Sequence, residues 1–153
     1  MRLIWTLALL GIAFVLAGTA LAASDSQAVV KVRTTSLGKI LVATNGKTLY
    51  MFAKDTPSES YCNGNCAKFW PPLITSGKPT AGPGVKQAWL GVFHRADGGA
   101  QVTYKTHPLY FFAKDTKAGQ TAGQGVAAFG AKWYAMTPAG TKATSSSGGG
   151  YHY

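Results

Sequence analysis

Acidic residues are scarce in this chain, and their scarcity limits the chemistry that it can perform. The 153 residues include five Asp and Glu against 15 Lys and Arg, which gives a formal net charge of +10. So few carboxyl groups leave little for paired-carboxylate catalysis or for a carboxylate cage around a metal ion. Charged residues make up 13% of the chain and hydrophobic residues 46%, which excludes an acidic disordered chain and a coiled coil.

Histidine and cysteine are also rare, and common catalytic motifs are missing. The chain has three His and two Cys, without a Cys-x2-Cys or His-x3-His pair, which argues against a structural zinc site. It has no Gly-x-Ser-x-Gly nucleophile elbow. The glycine-rich stretch 119–130 lacks the Gly-Lys-Ser/Thr ending of a phosphate-binding loop. We therefore expect a protein that is not an enzyme.

The first 22 residues have the features of a secretory signal peptide. Arg2 supplies a short positive segment, residues 3–21 are almost wholly apolar, and Ala20–Leu21–Ala22 is a small-x-small cleavage site. An uncleaved membrane anchor is the alternative, since the apolar run is long enough to span a bilayer, but no Lys or Arg flanks its far end. We expect a secreted protein, periplasmic or extracellular.

The strongest pattern in the chain is an internal repeat. The segment LYMFAKDT at 49–56 recurs as LYFFAKDT at 109–116, and the only difference is that Phe111 replaces Met51. Such a match within one short chain indicates two copies of a unit. A fainter echo follows each copy, because AKFW at 67–70 resembles AKWY at 131–134.

The repeat divides the chain into segments with different expected roles. We predict a signal peptide at 1–22, an N-terminal extension at 23–28, repeat 1 at 29–76, a linker at 77–87, repeat 2 at 88–138 and a disordered Ser/Gly-rich tail at 139–153.

Each repeat is expected to consist mainly of strands. The 19 glycines and the 12% aromatic content favour turns and strands over long helices. We predict strands at 29–34, 37–43 and 48–52, with the hairpin turn Asn45–Gly46, and further strands at 89–94, 100–105 and 109–112.

The motif segments are apolar on both faces, so both faces are expected to be covered. Tyr50 and Phe52 share one face of a strand, and Leu49 and Met51 share the other. The predicted fold class is mainly β, with two tandem hairpin-based repeats packed as one small sandwich- or barrel-like domain. A short helical turn is expected at 66–70 before two prolines.

The two Tyr-x-Phe-x-x-Asp copies resemble the signature of the secreted-repeat family of bacterial proteins, known for a Yx(FWY)xxD motif. The run from Cys62 to Leu73 is similar to the family's first repeat, and 107–110 and 123–125 are similar to its second. The resemblance implies a secreted cell-envelope protein of two repeats and implies no particular activity. The chain lacks the lipid-attachment Cys, so membrane attachment is not implied.

The repeated polar residues have two interpretations. In the first, they form a duplicated functional site. In the second, which we favour, each Tyr is buried with its hydroxyl bonded, and each Asp closes the turn after its strand. The motif residues are Tyr50, Phe52, Asp55, Tyr110, Phe112 and Asp115.

The two cysteines also have two interpretations. Cys62 and Cys66 are expected to form a disulfide in an oxidising compartment. The alternative is a periplasmic copper-binding or redox protein, in which the reduced cysteines bind copper together with His94 and His107.

The preferred function is a non-enzymatic binding or structural module of the cell envelope, without a cofactor. Lys and Arg are spread along the chain without a run. A secreted location argues against nucleic acid as a partner, so the positive charge points to anionic envelope polymers or lipid head groups. Solubility alone is the alternative explanation of that charge.

Overall fold

A computed structural model describes residues 26–57 and 59–144. The expected signal peptide, the start of the expected extension and residues 145–153 of the expected tail lie outside these described residues. No helix within the described part of the chain has the length and apolar character needed to cross a membrane.

The described chain is mainly β, as the sequence predicts. The first half contains β1 (Val29–Thr35), β2 (Gly38–Ala43), β3 (Tyr50–Phe52), the helix α1 (Asn65–Phe69) and β4 (Thr80–Ala81). The second half contains a 3-10 helix (Gln87–Trp89), β5 (Leu90–His94), β6 (Ala100–Tyr104), β7 (His107–Pro108), β8 (Ala127–Ala128) and β9 (Ala131–Ala135).

Three small sheets pack together, and no sheet formed by the described residues closes into a barrel. Their strand orders are β2-β1-β4, β3-β9-β8 and β5-β6-β7. The central sheet joins the two repeats, because β3 of the first pairs with β9 of the second. The segment expected to be a linker contributes β4, which pairs in parallel with β1.

The second copy of the motif differs from the first in its backbone pairing. The expected strand 109–112 does not form a ladder; Tyr110 makes isolated bridges to Tyr50 and Pro72 instead. Phe111 donates its N–H to the carbonyl of Pro71 at 2.7 Å, but Pro71 has no N–H to donate in return, so one bond of a regular ladder is missing beside this segment. The first copy lies beside β9, which has no proline, and there the ladder forms.

The end of each repeat bonds to the motif segment of the other repeat. Leu73 donates its N–H to the carbonyl of Leu109 at 2.9 Å, and Met136 donates its N–H to the carbonyl of Leu49 at 2.9 Å. Because these bonds run between the repeats in both directions, neither repeat completes its own hydrogen bonding.

The core consists of two apolar clusters on opposite faces of the motif segments. The first cluster contains Tyr50, Phe52, Tyr110 and Phe112, and the second contains Leu49 and Leu109. This is the alternation that a period of two predicts.

One hairpin turn is strained. Lys105 and Thr106 connect β6 to β7 with φ angles of 48° and 71°, in the left-handed region that glycine and asparagine prefer. A β-branched residue such as Thr106 is especially disfavoured there.

We predict that Thr106→Gly raises the free energy of unfolding by about 1 kcal/mol, because it removes the strain of a β-branched residue at positive φ. Urea unfolding measures the change. The matched control is Thr44→Gly, at an exposed position whose φ is negative, which is expected to lower stability because glycine is freer in the unfolded chain. Destabilisation by Thr106→Gly would contradict the assignment of strain.

Candidate functional site

The tyrosine of each motif copy is bonded to the aspartate of the other copy. Tyr50 Oη donates to Asp115 Oδ2 at 2.6 Å, and Tyr110 Oη donates to Asp55 Oδ2 at 2.6 Å. The two tyrosines also exchange backbone bonds, with N–O distances of 2.8 and 3.0 Å. The motif therefore forms one central site shared by both repeats.

Each aspartate also closes the turn that follows its own motif segment. The N–H groups of Asp55 and Asp115 donate to the carbonyls three residues earlier, at 3.1 and 3.0 Å. The second carboxylate oxygen of Asp55 accepts from Tyr61 N at 2.8 Å, and that of Asp115 accepts from Ala122 N at 3.0 Å. One carboxylate thus holds a loop of its own repeat and a tyrosine of the other.

The second partner of each tyrosine hydroxyl differs between the two halves. Ser60 Oγ lies 2.7 Å from Tyr110 Oη, whereas Tyr50 Oη accepts from the backbone N–H of Gly123 at 3.2 Å. A Cβ on Gly123 would lie 2.8 Å from the Tyr50 ring and 2.9 Å from the Trp70 ring. Only glycine allows the backbone this close approach.

Four stacked rings alternate between the repeats beneath the tyrosines. The order is Phe112, Trp70, Trp133 and Phe52, with centroid separations of 4.2, 4.0 and 4.1 Å. The tyrosines meet the stack edge-on, Tyr50 against Trp70 at 5.5 Å and Tyr110 against Trp133 at 5.1 Å. Stacked and edge-on pairs add stability beyond area burial.

The two tryptophans occupy equivalent places, which corrects the register of the fainter sequence echo. The carbonyl of Phe69, just before Trp70, accepts from the N–H of Ala113 at 2.8 Å. The carbonyl of Lys132, just before Trp133, accepts from the N–H of Ala53 at 3.0 Å. The echo aligned Trp70 with residue 134, one position too far. The offset arose because AKFW and AKWY are similar in sequence although the first is largely helical and the second lies in a strand.

The electrostatics of the site favour neutral phenols. Burial, followed by the neighbouring aspartate, raises the pKa of Tyr50 and Tyr110 well above the usual tyrosine value. Burial also raises the pKa of Asp55 and Asp115, and the bonds from the tyrosines oppose that rise. Each pair therefore holds its proton on the phenol at neutral pH.

The buried residue Arg95 was not predicted from the sequence. It connects the loop that follows Asp55 to the second repeat. The Arg95 residue is 4% exposed. Its guanidinium donates to Asp97 Oδ2 at 3.0 Å, Gln101 Oε1 at 2.8 Å, Ser60 Oγ at 3.1 Å, Cys62 O at 2.8 Å and Asn63 Oδ1 at 3.0 Å. A lone Arg beside a turn gives no sequence signal of this role, because most such residues face water.

The expected disulfide is present between Cys62 and Cys66, with Cα atoms 5.1 Å apart. Both sulfurs are therefore bonded to each other, and the structure does not favour the copper alternative. His94 and His107 pair with opposite ends of β6, so the structure does not bring them together. Within the described residues, no three His, Cys, Asp or Glu side chains form a group that could hold a metal.

The fold and the site together define a duplicated, mainly β, disulfide-bonded protein whose two repeats share one core. A model of the family described as a secreted repeat of unknown function matches residues 31–74 and 91–137. The chain therefore belongs to this family and is a secreted protein. Each matched range contains one complete motif copy and one of the two tryptophans that stack at the centre. No curated protein and no solved structure matches the chain.

We predict that a double-mutant cycle of Tyr50→Phe with Asp115→Ala gives a coupling energy of about 1 kcal/mol or more, because the two side chains share a buried bond. The control cycle pairs Tyr50→Phe with Asp55→Ala, within one motif copy, where coupling below about 0.5 kcal/mol is expected. Stabilities come from urea unfolding. Larger coupling within one copy than between copies would contradict the crosswise arrangement.

We predict a steep loss of stability in alkali. The folded-state pKa of Tyr50 and Tyr110 is raised above 10.0, so the folded protein keeps both phenols neutral while the unfolded chain ionises them. Their contribution is complete below about pH 10 and falls above it, by about 1.4 kcal/mol per pH unit for each tyrosine.

Urea unfolding at a series of alkaline pH values measures this slope. In Tyr50→Phe the contribution of one phenol is lost, so the slope decreases. The control Phe112→Leu also removes ring contacts, and it should lower stability at every pH while keeping the wild-type slope. An unchanged slope in Tyr50→Phe would show that this phenol is not protected from ionisation.

Proposed function

We propose that this protein is a non-enzymatic binding module of the cell envelope that attaches to anionic envelope polymers or lipid head groups. The observation that carries the proposal is that the acidic side chains bond to other residues of the protein. The few carboxylates of the described chain are engaged by neighbouring residues, and the lysines are left at the surface.

Each described carboxylate has a partner within the protein. Asp55 and Asp115 accept from the motif tyrosines, and Glu59 accepts from the Tyr61 hydroxyl at 3.0 Å. Asp97 lies 3.0 Å from the buried guanidinium of Arg95, and this is the single ion pair within residues 26–57 and 59–144.

The lysines, in contrast, lie mostly in water without a carboxylate partner among the described residues. Exposed examples are distributed over both repeats: Lys31, Lys39, Lys54, Lys68, Lys78, Lys86, Lys105, Lys114, Lys117, Lys132 and Lys142. Their summed field attracts anionic surfaces from a distance, and dissolved salt screens it.

Some of the positive groups are held in place. Lys86 Nζ lies 4.1 Å and Lys105 Nζ 4.9 Å from the centroid of the Trp89 ring. Cation–π contact restrains both ammonium groups beside one ring. Anchored charges lose less freedom on binding than free ones.

The burial and hydrogen bonding of the motif tyrosines support a binding role over a catalytic one. Tyr50 and Tyr110 are fully buried, and their hydroxyls are committed to aspartates and to loop donors. A catalytic acid or base needs contact with a substrate. Tyr50 and Tyr110, whose pKa burial raises well above the usual tyrosine value, instead bond to the aspartates of the opposite repeats.

We predict that the protein binds vesicles containing phosphatidylglycerol and a dextran sulfate gel, and that added salt weakens both interactions by screening. Vesicles of phosphatidylcholine alone and neutral dextran serve as matched controls. Co-sedimentation and column retention over a salt series measure the effect. Equal binding to charged and neutral matrices, or binding that salt does not change, would contradict the proposal.

A further inference from the structure

Two phenylalanine side chains are exposed side by side, one from each repeat. Phe69 at the end of α1 is 50% exposed, and Phe129 at the tip of the β8–β9 hairpin is 42% exposed. Their ring centroids lie 6.0 Å apart. Adjacent exposed aromatic rings leave a persistent apolar patch in water, and such patches mark interaction sites.

Phe129 occupies a turn position that does not favour it. Phe129 and Gly130 have φ angles of 57° and 92° and form the two-residue connection between Ala128 and Ala131. This is a type I′ geometry, in which the first position favours asparagine, glycine or aspartate. A bulky residue at positive φ costs stability. Folding of the hairpin therefore does not account for a phenylalanine here.

Both rings line an apolar groove of about 250 Å³. Trp70 and Phe112, which end the central ring stack, contribute to its lining, so the groove lies against the buried core. Its other lining residues are Phe69, Lys114, Val126, Ala128 and Phe129.

Four exposed lysines lie near the residues of the patch in sequence or in space. Lys68 precedes Phe69 in α1, Lys114 lines the groove, and Lys132 pairs with Ala127 across the hairpin. Lys54 Nζ lies close to the turn, 3.7 Å from the position that a Cβ on Gly130 would occupy. None of the four forms an ion pair within the described chain.

We propose that this patch, defined by Phe69, Phe129 and the four lysines, docks on an anionic lipid bilayer. The two rings enter the boundary between head groups and acyl chains, and the lysines contact the anionic head groups. The inference rests on the proposed function, because it names the surface and the partner through which that function operates.

The geometry favours a bilayer over a polysaccharide. The two rings are inclined at 37° to each other and both line a groove, so they do not provide a flat platform for sugar stacking. A polar polymer would leave the groove hydrated, whereas acyl chains remove its apolar surface from water. Each lysine at an anionic surface adds about a fivefold gain in affinity.

The test uses the full secreted chain and the double variant Phe69→Ser/Phe129→Asn. Asparagine suits the turn, so Phe129→Asn alone is expected to keep or raise the Tm. The matched control is Ile74→Ser, which removes a side chain that is 46% exposed outside the patch. Binding to phosphatidylglycerol vesicles and to the dextran sulfate gel is measured for each protein.

We expect the double variant to lose at least about tenfold in vesicle affinity, because two apolar side chains no longer enter the bilayer. Retention on the gel and the vesicle binding of Ile74→Ser should stay at the wild-type level. In Phe129→Trp, indole fluorescence should shift to the blue on adding anionic vesicles.

Other results would overturn the inference in distinguishable ways. If the double variant binds vesicles like wild type, the patch is not the docking surface, and the proposed function stands. If wild type binds the gel but no vesicle, the partner is a polymer. If wild type binds neither matrix, the proposed function fails together with the inference.

Discussion

The hydrogen bonds that cross between the two motif copies are the constraint on which the rest of the structure depends. A buried carboxylate is costly unless donors satisfy it. Each motif aspartate receives one donor from its own loop and one from the tyrosine of the other repeat. Both repeats must therefore be in place before either aspartate is satisfied, and the alternating ring stack imposes the same condition on the apolar side.

The two halves of this shared site reach the same geometry by different means. In one half, side chains support the tyrosine–aspartate pair, through Ser60 and the buried guanidinium of Arg95. In the other half, the backbone amide of Gly123 takes the place of Ser60. A backbone amide that donates to the aspartate is common to both halves, from Tyr61 and from Ala122. The disulfide belongs to the first half, where the loop carries the carbonyl of Cys62 that accepts from Arg95. The second half instead has a glycine-rich loop that lies close to the rings.

The bonds that the acidic side chains form within the protein affect the charge of its surface. The four carboxylates of the described chain bond to tyrosines or to an arginine, and none of them forms an ion pair with a described lysine. Glu59 and Asp97 are exposed, but with five acidic and 15 basic residues the exterior is predominantly positive. The apolar patch at Phe69 and Phe129 lies on that exterior, and together they suit an amphipathic anionic surface better than a neutral one.

The sequence by itself determined the repeat, the mainly β class and most strand positions, and it made the disulfide the preferred one of two interpretations of the cysteines. These follow from local pattern: alternation in 29–43, an Asn–Gly turn, and two cysteines separated by a flexible loop. The sequence also indicated that both faces of the motif segments would be covered. It did not reveal that Pro71 would lie opposite Phe111 and leave the second motif copy without a regular ladder, because that depends on which segment lies beside it.

Only the tertiary structure decided which tyrosine meets which aspartate, that Trp70 and Trp133 are equivalent, and that Arg95 is buried. It also brought Phe69 and Phe129 together from opposite repeats. The physical reason is that these contacts join residues far apart in the chain. Their energies depend on burial and on the geometry of neighbours, and neither is encoded in the spacing of any one segment.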